Sequence, residues 1–388
     1  MQITIIAPVL GEENNGTTVA TFNLINSLRE KGHKVNIVCG DEFRRGQEGF
    51  YILNQLSLGA FDGIVKANNV VLARFDKKII REACEGSDVV HVTMPLFLGA
   101  KVAKFIKSEL KIPVTGGFHA QAENFSSHIF NLMNNKLFNN IIYNKYNKGL
   151  YQHCDAIHYP TSFIRDVFED IVGPTNGYVI SNGVRNTFYR KDVEKPIELK
   201  DKKIILFTGR LSKEKSHHIL IRAISLSKYE GDIQLVFAGQ GPREKKLRKL
   251  AKKLLTNQPI IKFFSFDGLN DMINMADLYV HPSEVEIEAI SCLEAIKCGK
   301  VPVIANSPRC ATKAFALDDR SLFKVNDARD LSDKIDYWFD NEEEKIRMGE
   351  VYAKSPVVDS VEVCMSKMEL MLMEVAGNVE QQDYILQG

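Results

Sequence analysis

QITIIAPVLGEENNGTTVATFNLINSLREKGHKVNIVCG, residues 2–40, decides the fold of this chain. A β-branched apolar run at 2–8 is followed by apolar residues at helical spacing over 19–32, where Gly32 is a typical helix C-cap, and then by a second apolar run at 34–40. This order predicts a strand, a helix and a second strand, which is the repeating unit of a parallel sheet covered by helices on both faces.

The same alternation continues along the chain and then restarts. Further strands are predicted at 88–94, 112–118, 156–160 and 178–183, and a second set at 202–210, 233–241, 261–266, 277–283 and 301–306. The polar, charged stretch between the two sets predicts a linker at about 185–200. We therefore expect an α/β protein of two doubly wound, Rossmann-like domains that face a cleft, at 1–185 and 186–356, with a C-terminal helix and tail at 357–388 that packs back toward the first domain.

The bulk composition excludes several classes of protein. Fifty Lys and Arg residues stand against 49 Asp and Glu, and a net charge of +1 argues against general nucleic-acid binding. Seven scattered cysteines without a C-x-x-C pair indicate neither a disulfide framework nor a zinc site, and we expect no metal. The N-terminal residues lack a cationic lead and a long apolar run, which predicts a cytoplasmic protein.

Doubly wound sheets bind ligands just beyond the carboxyl ends of their strands, so the residues that follow strands are the candidates for a site. After the first strand, Gly16 and Thr17 stand where a loop enters a helix, and their backbone N–H groups could face an anion. The alternative is a plain strand-to-helix turn with Thr17 or Thr18 as the N-cap. Asp41 resembles the ribose-binding acid of a dehydrogenase, but the glycine spacing of that motif is wrong here.

In the second strand set, TGRLSKEK at 208–215 places Arg210, Lys213 and Lys215 after a strand. A guanidinium offers two aimed donors and an ammonium a point charge, a combination that suits a diphosphate. The alternative is that these are solvated basic residues on a loop. The position after a strand favours the first interpretation.

Four carboxylates follow the strand at 277–283 in HPSEVEIEAISCLEA, residues 281–295. A glutamate accepts two hydroxyl hydrogen bonds, so Glu294 could hold a ribose diol and Glu286 could face sugar hydroxyls or a reacting centre. The N–H groups of the first helical turn, near 288–290, favour a negative ligand. For Glu284 and Glu288 we expect a solvated position at an acidic helix start.

EIEAISCLEAIKCG, residues 286–299, resembles the donor-site signature of the family-4 retaining glycosyltransferases of GT-B fold. The resemblance covers nearly the whole chain, because further motifs stand in the family's order: NNGTTVATFNLINSLREKGHKV, VISNGVRNTFYR, TGRLSKEK, LVFAGQGPREKKL and ADLYVHPS. The chain departs from the family at 287–289, where Ile-Glu-Ala replaces the usual G-F-G. The EIEA variant, together with PVTGGFHAQAENFSSHIF at 113–130, is most similar to the bacterial 1,2-diacylglycerol 3-glucosyltransferases.

The resemblance implies a role for each candidate residue. Arg210 and Lys215 would neutralise the nucleotide diphosphate, Glu294 would hold the ribose and Glu286 would contact the transferred sugar, and catalysis would rest on Arg210, Lys215, Glu286 and His119, the last placed near the donor sugar. A lone histidine after a strand is otherwise more often structural. The remaining donor-binding residues implied are Gly16, Thr17, Phe266, Ala289 and Ile290.

By the same resemblance, the reaction transfers a hexose from a UDP-sugar, here UDP-glucose, to a membrane lipid such as diacylglycerol with retention of configuration. The leaving phosphate takes the acceptor proton, and neither a cofactor nor a metal is required. The protein would work as a peripheral enzyme on the inner face of the cell membrane, and its oligomeric state cannot be inferred.

Two basic segments could touch an anionic membrane. One helical face in KVAKFIKSELK carries Lys101, Lys104, Lys107 and Lys111. KLFNNIIYNKYNKGLYQH at 136–153 mixes lysines with Phe, Ile and Tyr, as interfacial segments do. The alternative for both is a helix packed on the first sheet with its lysines in water. A third basic helix, at 243–255, lies in the second domain, and we expect it to face solvent.

Three other functions remain open on these residues. The chain could glycosylate a soluble or polysaccharide acceptor, it could be a nucleotide-sugar epimerase or hydrolase on the same scaffold, or it could bind sugar nucleotides or membranes without catalysis.

Overall fold

A computed structural model describes residues 1–10, 16–57, 59, 72–95, 98–129 and 135–377. The chain divides into two compact units, one formed by residues 1–182 with the segment from 361 onward, and the other by residues 183–360. The first unit contains a seven-stranded sheet and the second a six-stranded sheet, and every strand pair in both is parallel. The two Rossmann-like α/β domains predicted from the sequence are confirmed.

The first sheet has the strand order β3-β2-β1-β4-β5-β6-β7. Its strands are β1 (Gln2–Ile6), β2 (Lys34–Cys39), β3 (Phe50–Ile52), β4 (Val89–Val92), β5 (Val114–Gly117), β6 (Ala156–Tyr159) and β7 (Gly177–Val179). The described α-helices within residues 1–182 are α1 (Gly16–Glu30), α2 (Lys77–Cys84), α3 (Leu98–Phe105), α4 (Ala122–Ile129), α5 (Lys136–Gly149) and α6 (Ser162–Val172).

The second sheet has the order β10-β9-β8-β11-β12-β13. Its strands are β8 (Lys203–Thr208), β9 (Ile233–Ala238), β10 (Ile260–Lys262), β11 (Leu278–His281), β12 (Pro302–Asn306) and β13 (Leu322–Lys324). Its helices are α7 (His217–Ile224), α8 (Glu244–Leu254), α9 (Phe266–Met275), α10 (Ile290–Lys297), α11 (Ala328–Asp340) and α12 (Glu342–Ala353). The central strands β9 and β11 are buried along their whole length, and β8 is buried after its first residue, as expected for a sheet with helices on both faces.

The last helix, α13 (Val361–Val375), belongs to the first unit. Its Met365, Met368 and Leu372 are buried in the same apolar cluster as Ile25 and Leu28 of α1. On the solvent side of this packing, Lys31 Nζ lies 2.5 Å from a Glu369 carboxylate oxygen, and His33 Nε2 lies 2.7 Å from the other. The helix is therefore held by buried apolar surface and by a carboxylate that contacts two basic groups.

The segment where we expected the linker packs on the second unit instead. The backbone N–H of Lys191 donates to Asn274 Oδ1 at 3.0 Å, and Lys195 Nζ lies 2.7 Å from an Asp277 carboxylate oxygen. The two units meet in sequence at 182–183 and 360–361, outside this segment. Its high charge reflects ion pairs along the surface of the second unit rather than a solvated connection.

Candidate active site

Two loops follow the central strands of the second sheet. β8 and β11 are hydrogen-bonded neighbours although two strands separate them in sequence, so the direction of winding reverses between them. Residues 209–216 lead from β8 into α7, and residues 282–289 lead from β11 into α10. This switch point is where doubly wound sheets bind ligands.

The first loop and the second loop meet at a charged triad. Lys215 Nζ bonds directly to Glu286 Oε1, and the same oxygen lies 3.2 Å from Nε2 of His281. Glu286 is 8% exposed and His281 is fully buried at the end of β11. The sequence predicted Lys215 and Glu286 as parts of one site, and the structure brings them together.

Opposing effects set the protonation of this triad. Burial alone raises the pKa of Glu286, but Lys215 and the hydrogen bond from His281 outweigh it and lower that pKa to about 2. Burial lowers the pKa of Lys215, and its attraction to Glu286 and Glu214 reverses the direction, so the pKa is raised. Burial also lowers the pKa of His281. At neutral pH the triad thus holds an ammonium, a carboxylate and a neutral imidazole, and the imidazole Nε2–H donates a hydrogen bond to the carboxylate.

His281 is in turn surrounded by hydrogen-bonding groups. Its Nδ1 lies 3.4 Å from the hydroxyl of Tyr279, which lies 3.4 Å from Ser291 Oγ at the start of α10. Ser291 Oγ donates to the carbonyl of Thr208 at 3.1 Å. This chain of contacts runs from the end of β8 through β11 to Glu286, and it fixes the direction of the carboxylate.

Glu284 and Glu288 are buried, at 7% and 4% exposure, and the expectation that they are solvated is wrong. Ser216 Oγ donates to Glu284 Oε1 at 2.9 Å, and Arg309 Nη2 donates to Oε2 at 3.2 Å. Since Ser216 closes the loop after β8 and Arg309 follows β12, Glu284 ties three loops of the sheet edge together. Its backbone N–H also donates to the carbonyl of Glu214 at 2.8 Å.

Arg210 stands two residues beyond β8 and is half-buried. Burial lowers its pKa, an effect that Glu214 partly offsets. A guanidinium remains charged at neutral pH, so Arg210 adds to the two lysines of the loop after β8, Lys213 and Lys215.

Glu294 lies on the second turn of α10 and is half-buried. Burial raises its pKa to about 7, and Arg185 acts in the opposite direction. The guanidinium of Arg185 also covers the ring of Phe266 at 4.2 Å from the ring centroid. Phe266 begins α9 and is 41% exposed. Arg185 thus joins two predicted donor-binding residues, and the sequence did not single it out, although it stands in the motif VISNGVRNTFYR.

The helix α10 starts from a strained residue. Ala289 precedes it with a φ of 67°, in the left-handed region that favours glycine, and Ile290 is its first helical residue. Ala289 occupies the third position of the tripeptide for which the family has G-F-G. The backbone therefore keeps a conformation typical of glycine although the side chain is present, and the first N–H groups of α10 have no acceptor within the helix.

His119 lies in the first unit, just beyond β5, and is half-buried. Its ring centroid is 5.5 Å from that of His158 on β6. Burial, His158 and His91 together hold its pKa well below the usual range, so the imidazole is neutral. A Cβ at Gly117 would lie 3.1 Å from His119 Cδ2 and 2.9 Å from the carbonyl oxygen of Thr93, which explains why glycine stands there.

The phosphate loop predicted after β1 is only partly described. Residues 11–15 lie outside the described residues, and α1 begins at Gly16. Thr17 is therefore inside the first helical turn and is not an N-cap, and its carbonyl accepts a hydrogen bond from Thr21 Oγ1 at 2.8 Å.

The four lysines predicted for membrane contact are exposed, but they do not share one regular helical face. α3 ends at Phe105, a π-helical turn follows over Ile106–Leu110, and Lys111 has a left-handed backbone. Val102, Phe105 and Ile106 are buried, so this segment has no apolar face for a bilayer. Lys107 Nζ bonds to Asp155, while Lys101 and Lys104 stand outward on α3.

α5 differs from α3 because part of its apolar surface is in solvent. Leu137 and Ile141, one helical turn apart, are 74% and 45% exposed. Ile142, Tyr143 and Tyr146 on the other side are buried. The flanking lysines at 136, 145 and 148 are exposed.

Two findings concern ions and membranes. Among the described residues, no group of three or more His, Cys, Asp or Glu side chains is placed to hold a metal ion. No helix in the described parts of the chain combines the length and the apolar character needed to cross a membrane. That the protein needs neither a metal nor a cofactor stays a prediction.

Two family models match the two halves of the chain. The model described as "Glycosyltransferase Family 4" matches residues 14–187, and the model described as "Glycosyl transferases group 1" matches residues 189–354. Together they cover both Rossmann-like domains, including all the candidate residues of the second unit.

Several characterised proteins are similar over most of their length. The α-monoglucosyldiacylglycerol synthase of Streptococcus pneumoniae is 24% identical over 324 residues, which are 79% of this chain and 71% of that protein. The GDP-mannose-dependent α-mannosyltransferase of Corynebacterium glutamicum is 24% identical over 78% of this chain and 72% of its own. The crystal structure of Anabaena HepE in complex with UDP and glucose is similar with a TM-score of 0.73 and 16% identity, covering 96% of this chain and all of that one.

Proposed function

Because the chain belongs to the glycosyltransferases of GT-B fold, with a family 4 and a group 1 domain, we propose that it transfers glucose from UDP-glucose to a membrane lipid such as diacylglycerol, with retention of configuration. The observation that carries the donor half of this proposal is the cluster of Lys215, Glu286 and His281 at the switch point of the second sheet. The similarity to a monoglucosyldiacylglycerol synthase supports the lipid acceptor.

In this proposal the diphosphate lies between the loop after β8 and the start of α10. Arg210 and Lys215 neutralise its charge, and the first N–H groups of α10 add the positive end of a helix dipole. These charges stabilise the transition state, since negative charge builds up on the diphosphate as the glycosidic bond breaks. Their arrangement before substrate arrives is held by Glu286 and Glu214, which keep Lys215 protonated.

The two acids take different roles because their environments differ. Glu286 is fully ionised at neutral pH, and a carboxylate directed by Lys215 and His281 can accept hydrogen bonds from hydroxyls of the transferred sugar. Glu294 accepts two hydrogen bonds from the ribose when it is ionised. Phe266, covered by Arg185, offers an aromatic face beside the ribose site for the base.

His119 is proposed to contact the donor sugar from the first unit. As a neutral imidazole it can donate one hydrogen bond and accept another, which suits a hydroxyl. The acceptor hydroxyl attacks the anomeric carbon, the bond to the diphosphate breaks, and the leaving phosphate oxygen takes the acceptor proton on the same face.

The lipid acceptor requires contact with a bilayer, and α5 supports this contact. Leu137 and Ile141 expose an apolar pair that a peripheral protein can bury at the headgroup boundary, and the flanking lysines suit anionic lipids. On α3, Lys101 and Lys104 can add electrostatic attraction, together with Lys111 beyond the helix, whereas the ion pair of Lys107 with Asp155 reduces its share.

Product analysis tests the proposal. The full chain is incubated with UDP- and GDP-sugars, each in the presence of diacylglycerol vesicles or of soluble sugars. Glucosyl-diacylglycerol formed from UDP-glucose is the expected product. Glycosylation of soluble acceptors alone would refute the lipid half and leave the donor site standing, while turnover of UDP-glucose without any acceptor would favour a hydrolase.

A further inference from the structure

A dense run of basic residues forms α8 of the second unit, and none of its residues has a role in the proposed function. Residues 243–255 carry seven Lys or Arg and a single Glu, in a chain whose net charge is only +1. We propose that this helix docks the protein on an anionic lipid surface through its lysines. The proposal rests on the lipid acceptor of the proposed function, because an enzyme with such an acceptor works at a membrane surface.

The helix separates its apolar and charged residues completely. Leu247 and Ala251 are buried against the second unit, and Leu250 is half-buried beside them. At 100° per residue, the opposite side carries six exposed basic side chains over about half of the circumference. These are Lys245, Lys246, Arg248, Lys249, Lys252 and Lys253.

The lysines of this face form no ion pair with the described residues. Within the described part of the chain, no carboxylate forms an ion pair with Lys245, Lys246, Lys249, Lys252 or Lys253, whereas Glu244 pairs with Arg248. Two exposed lysines of the first unit, by contrast, are paired: Lys107 with Asp155 and Lys77 with Glu109. The charge of α8 is therefore available to an external anion.

Folding gives no reason for this pattern. Lys245 and Lys249 are spaced i, i+4, as are Lys249 and Lys253, and like charges at that spacing destabilise a helix. The two lysines at the end of the helix gain from its dipole, but those at its start do not. A surface that brings negative charge to the whole face would relieve the repulsion.

The choice of basic residue favours a membrane over a nucleic acid. Five of the six exposed basic residues are lysines, which act as point charges, while bidentate phosphate recognition uses arginine. A single straight helix with lysines along one side matches a flat anionic surface, and clusters of four to eight basic residues on an amphipathic helix are typical of binding to acidic lipids.

The test measures binding of the full chain to phosphatidylcholine vesicles with and without phosphatidylglycerol, by co-sedimentation. The variant K245Q/K249Q/K252Q removes three charges from the centre of the face. The matched control K200Q/K313Q/K354Q removes three exposed lysines of the same unit that lie outside α8. UDP binding and circular dichroism check that each variant is folded.

We expect the wild type and the control to bind only the vesicles that contain phosphatidylglycerol, and the α8 variant to bind them about 100-fold more weakly, since each lysine near such a surface contributes about fivefold. Binding should also fall as the ionic strength rises from about 0.1 M to about 1 M. Unchanged vesicle affinity of the α8 variant, or tighter binding of the wild type to duplex DNA than to vesicles at equal phosphate concentration, would overturn the proposal.

This experiment is independent of the acceptor. If the α8 variant loses vesicle affinity but the enzyme glycosylates only soluble sugars, the docking surface stands and the lipid acceptor fails. If diacylglycerol is glucosylated and the variant binds vesicles like the wild type, the docking surface fails and the proposed function stands.

Discussion

Donor affinity should rise with pH, because Glu294 in its proposed role must lose its proton to accept hydrogen bonds from both ribose hydroxyls. Burial raises the pKa of Glu294 to about 7. The ionised fraction of such a group increases from about 10% at pH 6 to about 90% at pH 8, so the affinity for UDP-glucose should increase close to tenfold over this range. The sign follows from hydrogen bonding: a carboxylate accepts from two hydroxyls, and a protonated carboxyl must donate at one of its oxygens.

Isothermal titration with UDP-glucose, in the absence of acceptor, measures this dependence. The diphosphate of UDP-glucose has no proton that titrates in this range, so the pH profile reports on the protein. Glu294→Gln should bind more weakly than the wild type at about pH 8 and show a flat profile. The control Glu343→Gln, which changes an exposed acid of the same unit, should keep the wild-type profile. A profile that survives in Glu294→Gln, or a wild-type affinity that falls with rising pH, would refute this role for Glu294.

Three further predictions concern the same fold. Glu286→Gln should lower the free energy of unfolding at pH 7 by about 3 kcal/mol, because the pKa of Glu286 is about 2 in the folded protein and 4.5 in the unfolded chain. This stabilisation is fully present above pH 4.5, so in urea denaturation the difference between wild type and variant should shrink as the pH falls toward 2. Equal stability of the two proteins at pH 7 would contradict the ion pair with Lys215. Ala289→Gly should raise the free energy of unfolding by about 0.5 to 1 kcal/mol, since it removes the strain of a left-handed alanine, and a less stable variant in thermal unfolding would argue against that backbone conformation. Gly117→Ala should lower the free energy of unfolding by about 1 to 3 kcal/mol, because the new Cβ would lie 2.9 Å from a backbone oxygen. It should also displace His119 and so lower kcat more than it raises KM. The control Gly231→Ala, where nothing lies within 4 Å of the new Cβ, should be close to neutral, and equal behaviour of the two variants would refute the argument.

The sequence predicted the architecture because both sheets are parallel and their central strands are continuous apolar runs. The strands that it missed are β3 and β13, at Phe50–Ile52 and Leu322–Lys324, each of three residues at the edge of a sheet. So short a segment shows no period that separates a strand from a loop. It also placed the start of α1 three residues late, at 19, whereas the helix begins at Gly16 and has no acidic residue in its first turn.

The site was partly predictable for the same topological reason. Since ligands bind beyond the carboxyl ends of parallel strands, the positions of Lys215 and Glu286 after β8 and β11 pointed to a shared site, and the structure places them in contact. His281 escaped notice because it ends an apolar strand, and nothing in its spacing shows that its ring reaches Glu286.

Contacts between distant segments explain the wrong expectation for Glu284. Its partners Ser216 and Arg309 are 68 and 25 residues away in sequence, and only the strand order brings them to the same edge. Arg185 is a similar case, because it belongs to a segment far from Phe266 and Glu294 in the chain and reaches them through the fold of the second unit.

A structure of the full chain with UDP-glucose tests the central claim most directly. We expect the diphosphate in contact with Arg210, Lys215 and the first N–H groups of α10, and the ribose hydroxyls on Glu294. A diphosphate bound elsewhere on the second unit, with Lys215 and Glu286 touching no part of the donor, would contradict the account.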